Sequence, residues 1–228
     1  MNTPHNKLNR VFVTGGAGYV GSILIPKLLE QGHEVVVLDR YFFGPQGLEP
    51  VRGHKGLTEV EGDIRDTSLL EKIIPGCDAV IHLACMANDP SFELNPELSK
   101  TINFDCFEPL VKISKKHGVK RFVYASTSSV YGVSDAPEVD EEHPLLPITD
   151  YNKYKGLCEP ILHREGTEDF TTVVIRPATV CGYGPRQRLD LTVNILTNHA
   201  IHNRKITVFG GSQKRPNIHI EDITDLYM

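Results

Sequence analysis

The sequence lacks any run of about 18 apolar residues, so it contains no candidate transmembrane helix. Residues 1–10 are polar and lack the apolar segment of a secretory signal. There is no basic excess, because 24 lysines and arginines face 29 aspartates and glutamates, and the net charge of −5 predicts no nucleic-acid partner. The five cysteines form no CxxC pair and no zinc-type spacing with histidine, which predicts reduced thiols and no metal site. These absences together predict a cytoplasmic protein with no membrane contact.

What is present is an alternation of two patterns. Runs that are apolar throughout indicate buried strands, and amphipathic stretches between most of them indicate helices. The predicted strands lie at 11–13, 34–38, a stretch ending at 60, 78–83, 121–125 and 172–175. The predicted helices lie at 19–31, 67–74, 96–117, 151–165 and 221–227. This order predicts an α/β fold in which helices cover both faces of a doubly wound parallel sheet.

A glycine-rich turn from Thr14 to Gly21 joins the first predicted strand to the first helix. It fits GxGxxG from Gly16 and also GxxGxxG through Gly15, Gly18 and Gly21. Glycine permits the tight turn, the approach of a pyrophosphate to the backbone, and close packing of helix on strand. The helix N-terminus at Tyr19, Val20 and Gly21 offers unpaired N–H groups and its positive dipole end to phosphates. The turn therefore predicts a dinucleotide site on a Rossmann-type sheet, with a purely structural glycine turn as the alternative.

An acidic residue follows the second predicted strand, where a dinucleotide site has a ribose-binding acid. Asp39 closes the second predicted strand 18 residues after Gly21, near the roughly 20 typical of a ribose-binding acid. Its carboxylate would accept hydrogen bonds from the ribose 2′-hydroxyl and repel a 2′-phosphate, which predicts NAD over NADP. Arg40 is adjacent and would soften that preference.

Two side chains that suit acid–base chemistry lie four residues apart near the start of a predicted helix. Tyr151 and Lys155 therefore share a helix face. A tyrosine of pKa about 10 needs a nearby cation to act as a base at neutral pH, which Lys155 and a nicotinamide could supply together. Taken alone, the pair is also compatible with a solvated helix face. Hydroxyl side chains from Ser126 to Ser129 end the fifth strand, at the sheet edge where ligands bind in open α/β folds.

These motifs, in this order, resemble the extended short-chain dehydrogenase/reductase family and in particular its nucleotide-sugar epimerases and dehydratases. The resemblance includes the TGxxGxxG turn, an adenine-contacting segment at 62–66, a cofactor turn at 82–84, a (S/T)xxVYG pattern with Thr127, and YxxxK at 151–155. It continues through an RPxNxYGP-like segment at 176–186 and a substrate-side run at 208–222.

The resemblance implies specific roles. Tyr151 is the general acid/base on a sugar hydroxyl, Thr127 holds the same oxygen, and Lys155 orients the nicotinamide ribose and depresses the Tyr151 pKa. Asn103 falls where many members have a site asparagine, a helix-surface position being the alternative. The residues implied to contact NAD are Gly15, Gly18, Tyr19, Val20, Gly21, Asp39, Arg40, Asp63, Ile64, Leu83, Ala84, Tyr151, Lys155 and Pro177. Those implied to contact a nucleotide sugar are Thr127, Ser128, Thr179 and Arg215. Asn88 lies in the loop after the fourth predicted strand, which would face the substrate, and is predicted to bind sugar hydroxyls, with a plain turn as the alternative.

The sequence also departs from the family pattern. Where 4,6-dehydratases have an Asp-Glu pair after the catalytic threonine, this chain has Ser128 and Ser129, which cannot serve as a carboxylate acid and base. Thr179 and Cys181 replace the usual asparagine and tyrosine of the RPxNxYGP segment. An NAD-dependent epimerase is therefore favoured. The alternatives are an NAD(P)-dependent nucleotide-sugar oxidoreductase or dehydratase, and a non-catalytic NAD-binding regulatory protein.

The resemblance also implies how the chain is organised. We expect a dinucleotide-binding domain at residues 1–177 and a partial substrate lobe at 178–228, since family members usually continue beyond the point that corresponds to Met228. A homodimer is implied, because the family pairs the helices that correspond to 96–117 and 151–165. Both predicted helices carry apolar residues on more than one face, among them Leu110, Val111 and Ile113 in the first and Leu157, Ile161 and Leu162 in the second.

Overall fold

A computed structural model describes residues 8–228 of the chain. Its central sheet is built from β1 (Arg10–Thr14), β2 (Glu34–Asp39), β3 (Leu57–Glu61), β4 (Ala79–His82), β5 (Arg121–Ala125) and β6 (Thr171–Ile175). All neighbouring pairs are parallel, and the strand order is β3-β2-β1-β4-β5-β6. This is the order of a dinucleotide-binding doubly wound sheet. The predicted fold class is confirmed, and every predicted strand boundary lies within one residue of the observed one.

The described part of the chain contains eight α-helices. They are α1 (Gly21–Glu30), α2 (Thr67–Ile73), α3 (Asp89–Glu93), α4 (Pro96–Lys100), α5 (Phe107–Lys116), α6 (Asp150–Glu165), α7 (Thr192–Asn203) and α8 (Ile220–Tyr227). Two of them, α3 and α7, have no counterpart among the predicted elements.

The core lies on both faces of the sheet because successive strand residues point to opposite sides. Phe12 and Val36 pack with α2, α5 and α6 on one face, in a cluster that includes Leu110 and Leu162. The flanking residues of the same strands pack with α1 and α8 on the other face, among them Val11, Val13, Val35 and Val37. Burial on both faces explains why these strands show no polar alternation.

The predicted helix at 96–117 is wrong in its middle. It divides into α4 and α5, which are separated by a π-helical turn at Thr101–Asp105. Asn103 lies in this turn with only 3% of its surface exposed, so the helix-surface alternative for this residue is also wrong. Its amide accepts a hydrogen bond from Met86 N at 2.7 Å and donates to Met86 O at 3.1 Å. The turn thus directs Asn103 onto the loop that follows β4, which a regular 3.6-residue periodicity does not predict.

The C-terminal part of the chain forms a separate small sheet, in which β7 (Thr179–Cys181) pairs in parallel with β8 (Asn217–His219). Helix α8 returns to the main sheet and packs against α1, where Lys27 Nζ lies 2.6 Å from Glu221 and 2.7 Å from Asp225. Ile223 and Tyr227 of α8 belong to the same core cluster as Leu24 of α1. The boundary at residue 177 stays a prediction.

The predicted homodimer also stays a prediction. Leu110, Val111 and Ile113 of α5 are buried in the core of their own chain, so these residues are not free to contact a partner. Leu157 of α6 remains 41% exposed. None of the helices described between residues 8 and 228 is both long enough and apolar enough to cross a membrane.

Candidate functional site

The carboxyl ends of the six parallel strands meet at one edge of the sheet, and most of the predicted site residues lie there. They end or closely follow their strands in the order Gly15 after β1, Asp39 in β2, Asp63 after β3, Leu83 and Ala84 after β4, Thr127 after β5 and Pro177 after β6. The fold therefore brings residues far apart in sequence to one edge, where open α/β sheets bind ligands.

The glycine turn packs closely against its neighbours. Gly15 has φ +73°, and a Cβ there would lie 2.8 Å from Ala84 Cα, so both its conformation and its contacts require glycine. A Cβ on Gly21 would overlap the carbonyl of Gly16. The backbone that follows β1 thus lies directly against the backbone that follows β4.

The start of α1 leaves main-chain donors free. Within residues 8–228, the N–H groups of Tyr19 and Val20 have no hydrogen-bond acceptor. The Tyr19 side chain is directed elsewhere, because its hydroxyl donates to Gly182 O at 2.6 Å and accepts from Asn194 Nδ2 at 3.1 Å. Any contact of Tyr19 with a phosphate is therefore made by its backbone, and its ring joins the glycine turn to the segment after β7.

Asp39 is fixed at the end of β2 by two main-chain donors. Its Oδ2 accepts from Ala17 N at 3.0 Å and its Oδ1 accepts from Tyr41 N at 2.8 Å. A carboxylate has further lone pairs available on both oxygens. Arg40 turns away from this carboxylate, with its Nη1 3.4 Å from Asp63 Oδ2.

Asp63 is held by arginines. Arg65 donates to it from Nε at 2.9 Å and from Nη2 at 2.6 Å, and its backbone N–H adds a further bond at 2.9 Å. The hydrogen bonds from the Arg65 side chain lower the pKa of Asp63 to about 2. Ile64, predicted to contact adenine, is 93% buried and packs into the core cluster that contains Leu70.

We expect Asp63→Asn to destabilise the protein by up to about 2 kcal/mol at neutral pH, because a depressed pKa of this size corresponds to that free energy. A carboxylate with a lowered pKa stabilises the fold above its unfolded pKa, and this contribution is lost as pH falls towards the folded value. Urea unfolding of both proteins at pH 7 and pH 3 measures the difference. A free-energy difference that is the same at both pH values would contradict this assignment.

The turn after β4 is anchored by a buried hydrogen-bonded pair. The Thr14 hydroxyl lies 2.7 Å from His82 Nδ1 and accepts from Ala84 N at 3.2 Å. Burial lowers the pKa of His82 to about 3, so the imidazole is neutral at physiological pH and shares one hydrogen bond with the Thr14 hydroxyl. Leu83 and Ala84 are thereby fixed beside the glycine turn.

Helix α6 brings Tyr151 and Lys155 to the ends of the strands. Lys155 is 97% buried, donates to the carbonyl of Ala125 at the end of β5, and lies 4.7 Å from the ring centre of Tyr124. Burial raises the pKa of the Tyr151 phenol, nearby Cys85 and Asp89 raise it further, and Arg188 lowers it. In the protein alone the pKa of Tyr151 is therefore raised rather than lowered, chiefly by burial.

Thr127 caps a short 3-10 turn at Ser128–Tyr131, and its Oγ1 accepts from Ser129 N at 3.2 Å. Helix α6 packs directly on this turn, since a Cβ on Gly156 would lie 3.5 Å from Val130 Cγ1. Thr127 and the Tyr151 helix are thus carried by adjoining elements.

The remaining predicted substrate residues are more scattered. Asn88, at φ +82°, caps α3 by accepting from Ser91 N at 2.9 Å and donates to Asp190 at 2.7 Å. Thr179 begins β7 and is partly exposed, and Arg215 lies exposed in the segment before β8. Their contacts with a substrate stay predictions.

The structure adds residues that the sequence reasoning missed. Arg188 lies near Tyr151, and its Nη2 is 2.5 Å from Asp190 Oδ2. No spacing in the sequence predicts this position, because it depends on the path of the chain after β7. Glu159, Ser126 and Arg176 form a buried polar cluster behind Thr127. Glu159 follows Lys155 by four residues on the same face of α6. The four-residue spacing of Tyr151 and Lys155, continued by one more step, would therefore have predicted it.

Comparison with known proteins gives one family and several relatives. Residues 11–228 match the model of the NAD dependent epimerase/dehydratase family. A dTDP-D-glucose 4,6-dehydratase of Mus musculus is 30% identical over 99% of this chain and 65% of its own length. An uncharacterized UDP-glucose epimerase of Bacillus subtilis is 30% identical over 93% of this chain and 69% of its own length. The chain thus spans about two thirds of the length of these relatives.

The fold is shared with solved structures of similar proteins. The UDP-N-acetylglucosamine 4-epimerase of Methanobrevibacter ruminantium, solved with UDP-N-acetylmuramic acid, superposes with a TM-score of 0.85 at 28% identity. The match covers 95% of this chain and 71% of that one. The family description confirms, at the level of the family, the predicted resemblance and the prediction of NAD as the cofactor.

Proposed function

Because this chain belongs to the NAD dependent epimerase/dehydratase family, we propose that it is an NAD-dependent nucleotide-sugar epimerase. The observation that carries the proposal is the arrangement at the strand ends. Tyr151 and Lys155 lie on the helix that packs against the turn capped by Thr127, next to the edge that holds the glycine turn and Asp39.

The residues present fit NAD. Within the described residues the N–H groups of Tyr19 and Val20, where the glycine turn meets α1, have no hydrogen-bond acceptor, and these donors suit a pyrophosphate. Asp39 is held at the end of β2 by the N–H groups of Ala17 and Tyr41, and its carboxylate has lone pairs left to accept from a ribose 2′-hydroxyl. NAD, when bound, accepts a hydride from a sugar carbon and returns it, so that no net oxidation occurs.

Residues of this chain transfer the proton of the sugar hydroxyl. Tyr151 removes a proton from a sugar hydroxyl as the hydride leaves and gives it back later, and the Thr127 hydroxyl holds the same oxygen. Since burial raises the pKa of Tyr151, it needs cations close to the phenol to ionise. Arg188 is one such cation, and Lys155 becomes another if it exchanges the Ala125 carbonyl for the cofactor ribose.

The residues directly after Thr127 favour epimerisation over elimination of water. Ser128 and Ser129 form the start of the 3-10 turn and carry no carboxylate. The nearby carboxylate of Glu159 is buried and bonded to Arg176. The relatives include dehydratases as well as epimerases, so activity on defined sugars has to decide between them.

The test is incubation of the protein with NAD and a panel of UDP-, GDP-, CDP- and dTDP-sugars, with products identified by NMR. We expect an epimer of one substrate and no accumulation of NADH. Net NADH formation would indicate an oxidoreductase, and a 4-keto-6-deoxy product would indicate a dehydratase. If no sugar reacts and Tyr151→Phe leaves the biological activity unchanged, the non-catalytic alternative stands.

We expect Asp39→Asn to reduce the preference for NAD over NADP by roughly 10-fold or more, because it removes the charge that repels a 2′-phosphate and weakens a hydrogen bond to the ribose. Arg40 is bonded to Asp63, so we do not expect it to bind a 2′-phosphate in the variant. Titration of both dinucleotides by calorimetry measures the ratio. Glu61→Gln is the matched control, since Glu61 pairs with Asp39 in register on β3 and should leave the ratio unchanged.

The proposal also includes a cytoplasmic homodimer that buries the exposed side of α6. The support is the family resemblance and the partial exposure of Leu157. Light scattering of the purified protein should give twice the mass of the chain, and a monomeric mass would contradict this part.

A further inference from the structure

A buried polar cluster lies behind the strand ends, and the proposed chemistry does not use it. It consists of Ser126, Tyr131, Glu159 and Arg176, and we call it the Glu159 cluster. Glu159 itself is 97% buried in the middle of α6. A carboxylate at such a depth is stable only when it is fully hydrogen-bonded.

The cluster joins three elements through charged hydrogen bonds. The Ser126 hydroxyl, just after β5, donates to Glu159 Oε1 at 2.5 Å. Arg176, just after β6, donates to Glu159 Oε2 from Nη2 at 2.7 Å and to Oε1 from Nε at 3.1 Å. These bonds fix the ends of two strands to one helix position.

The cluster also reaches the long segment between β5 and α6. Arg176 Nη1 donates to the Tyr131 hydroxyl at 2.8 Å and to the Glu141 carbonyl at 3.3 Å. The guanidinium carbon lies 5.0 Å from the centre of the Tyr131 ring. One arginine therefore ties the 3-10 turn that Thr127 caps to both β6 and this segment.

The residues held in this way stand next to the proposed catalytic and cofactor-binding groups. Ser126 directly precedes Thr127, and Arg176 directly precedes Pro177. The backbones are bonded as well, with Ser126 N donating to Ile175 O at 2.8 Å and Ser128 N donating to Pro177 O at 3.0 Å. Lys155, one turn before Glu159, bonds to the carbonyl of Ala125. A displacement of Glu159 would move the end of β5, and Thr127 with it.

Resting on the proposed function, we infer that Glu159 is a positioning residue of this enzyme. Its carboxylate, through Ser126 and Arg176, sets the position of Thr127 relative to Tyr151 on the same helix. It touches neither the sugar nor the cofactor. Its loss should therefore lower kcat while NAD affinity stays near that of the wild type.

The test must separate positioning from stability. Removal of Glu159 alone would leave the largely buried Arg176 guanidinium without its carboxylate partner and would destabilise the fold for that reason. The double variant Glu159→Met/Arg176→Met removes both charges at similar volume, a replacement that often retains stability. Glu165→Gln, on the same helix as Glu159, is the matched control, because it breaks a 3.0 Å ion pair with Lys115 of α5, away from the strand ends.

Two readouts are measured on each protein. Hydrogen–deuterium exchange of residues 121–131 reports the order of the β5 end without any substrate. Turnover of whichever sugar the panel identifies, with NAD affinity measured separately, reports the effect on chemistry. In the double variant we expect exchange of residues 121–131 to rise and kcat to fall, each by roughly 10- to 100-fold, the size of one or two lost charged hydrogen bonds.

The outcomes are distinct. A double variant as heat-stable as the wild type, with faster exchange and lower kcat, supports the inference, and unchanged exchange at residues 121–131 overturns it. Ser126→Ala carries the same exchange test if the double variant does not fold, because it removes only the hydroxyl that links β5 to Glu159. A wild-type protein that turns over no nucleotide sugar contradicts the proposed function, while the exchange result still decides the role of Glu159.

Discussion

Tyr151→Phe is expected to lower kcat for the nucleotide sugar by roughly 10²- to 10⁴-fold, the usual contribution of a general acid/base. The variant removes one oxygen from a ring that lies against Phe92, so the fold should be retained. NAD affinity should change little, because the glycine turn and Asp39 are untouched. Steady-state kinetics and calorimetric titration of NAD measure the two effects.

Tyr154→Phe is the control for this prediction. Tyr154 lies on the same helix three residues later, and its ring stacks on Phe92 at 5.8 Å. Loss of its hydroxyl should leave kcat within about two-fold, since substitutions away from special interactions usually have small effects. Equal losses in the two variants would mean that the phenol of Tyr151 has no special part in the reaction.

Gly15→Ala is expected to destabilise the protein by about 2–5 kcal/mol and to abolish measurable NAD binding. A residue with a side chain at φ +73° costs about 1–2 kcal/mol, and overpacking of the new methyl against Ala84 costs about 1–3 kcal/mol more. The shift of backbone needed to relieve the contact would distort the turn that receives the pyrophosphate. Urea unfolding and NAD titration measure the two losses.

Gly118→Ala separates the two costs. Gly118 has φ +78°, but no atom lies within 4 Å of a Cβ built there, so only the conformational cost applies. We expect about 1–2 kcal/mol of destabilisation and unchanged NAD binding. If the two alanine variants lose the same stability, the close approach of the glycine turn to β4 is not what requires glycine at position 15.

The sequence predicted the sheet well because its strands are buried on both faces and read as apolar runs. The strand at Arg121–Ala125 was placed without error for this reason. Residues at strand ends, such as Gly15, Asp39 and Thr127, were predictable because parallel strands align their carboxyl ends. Their spacing along the chain therefore maps onto one edge.

The sequence did not predict features that depend on a local departure from a regular period. The π turn around Asn103 breaks a helix whose apolar pattern continues across it. The bond from Lys155 to the Ala125 carbonyl, and the raised pKa of Tyr151, follow from burial that a spacing of four residues does not reveal. Arg188 lies in an irregular segment after β7, so its position near Tyr151 is visible only in the folded structure.

The proposed epimerase activity is tested most directly by a reaction that is followed by NMR from both directions. Two samples of the protein with NAD are prepared, one with each epimer of the sugar that the panel identifies. We expect both samples to converge on the same epimer ratio, with no net NADH. Accumulation of NADH or of a dehydrated sugar, or a reaction that proceeds from one epimer only, would contradict it.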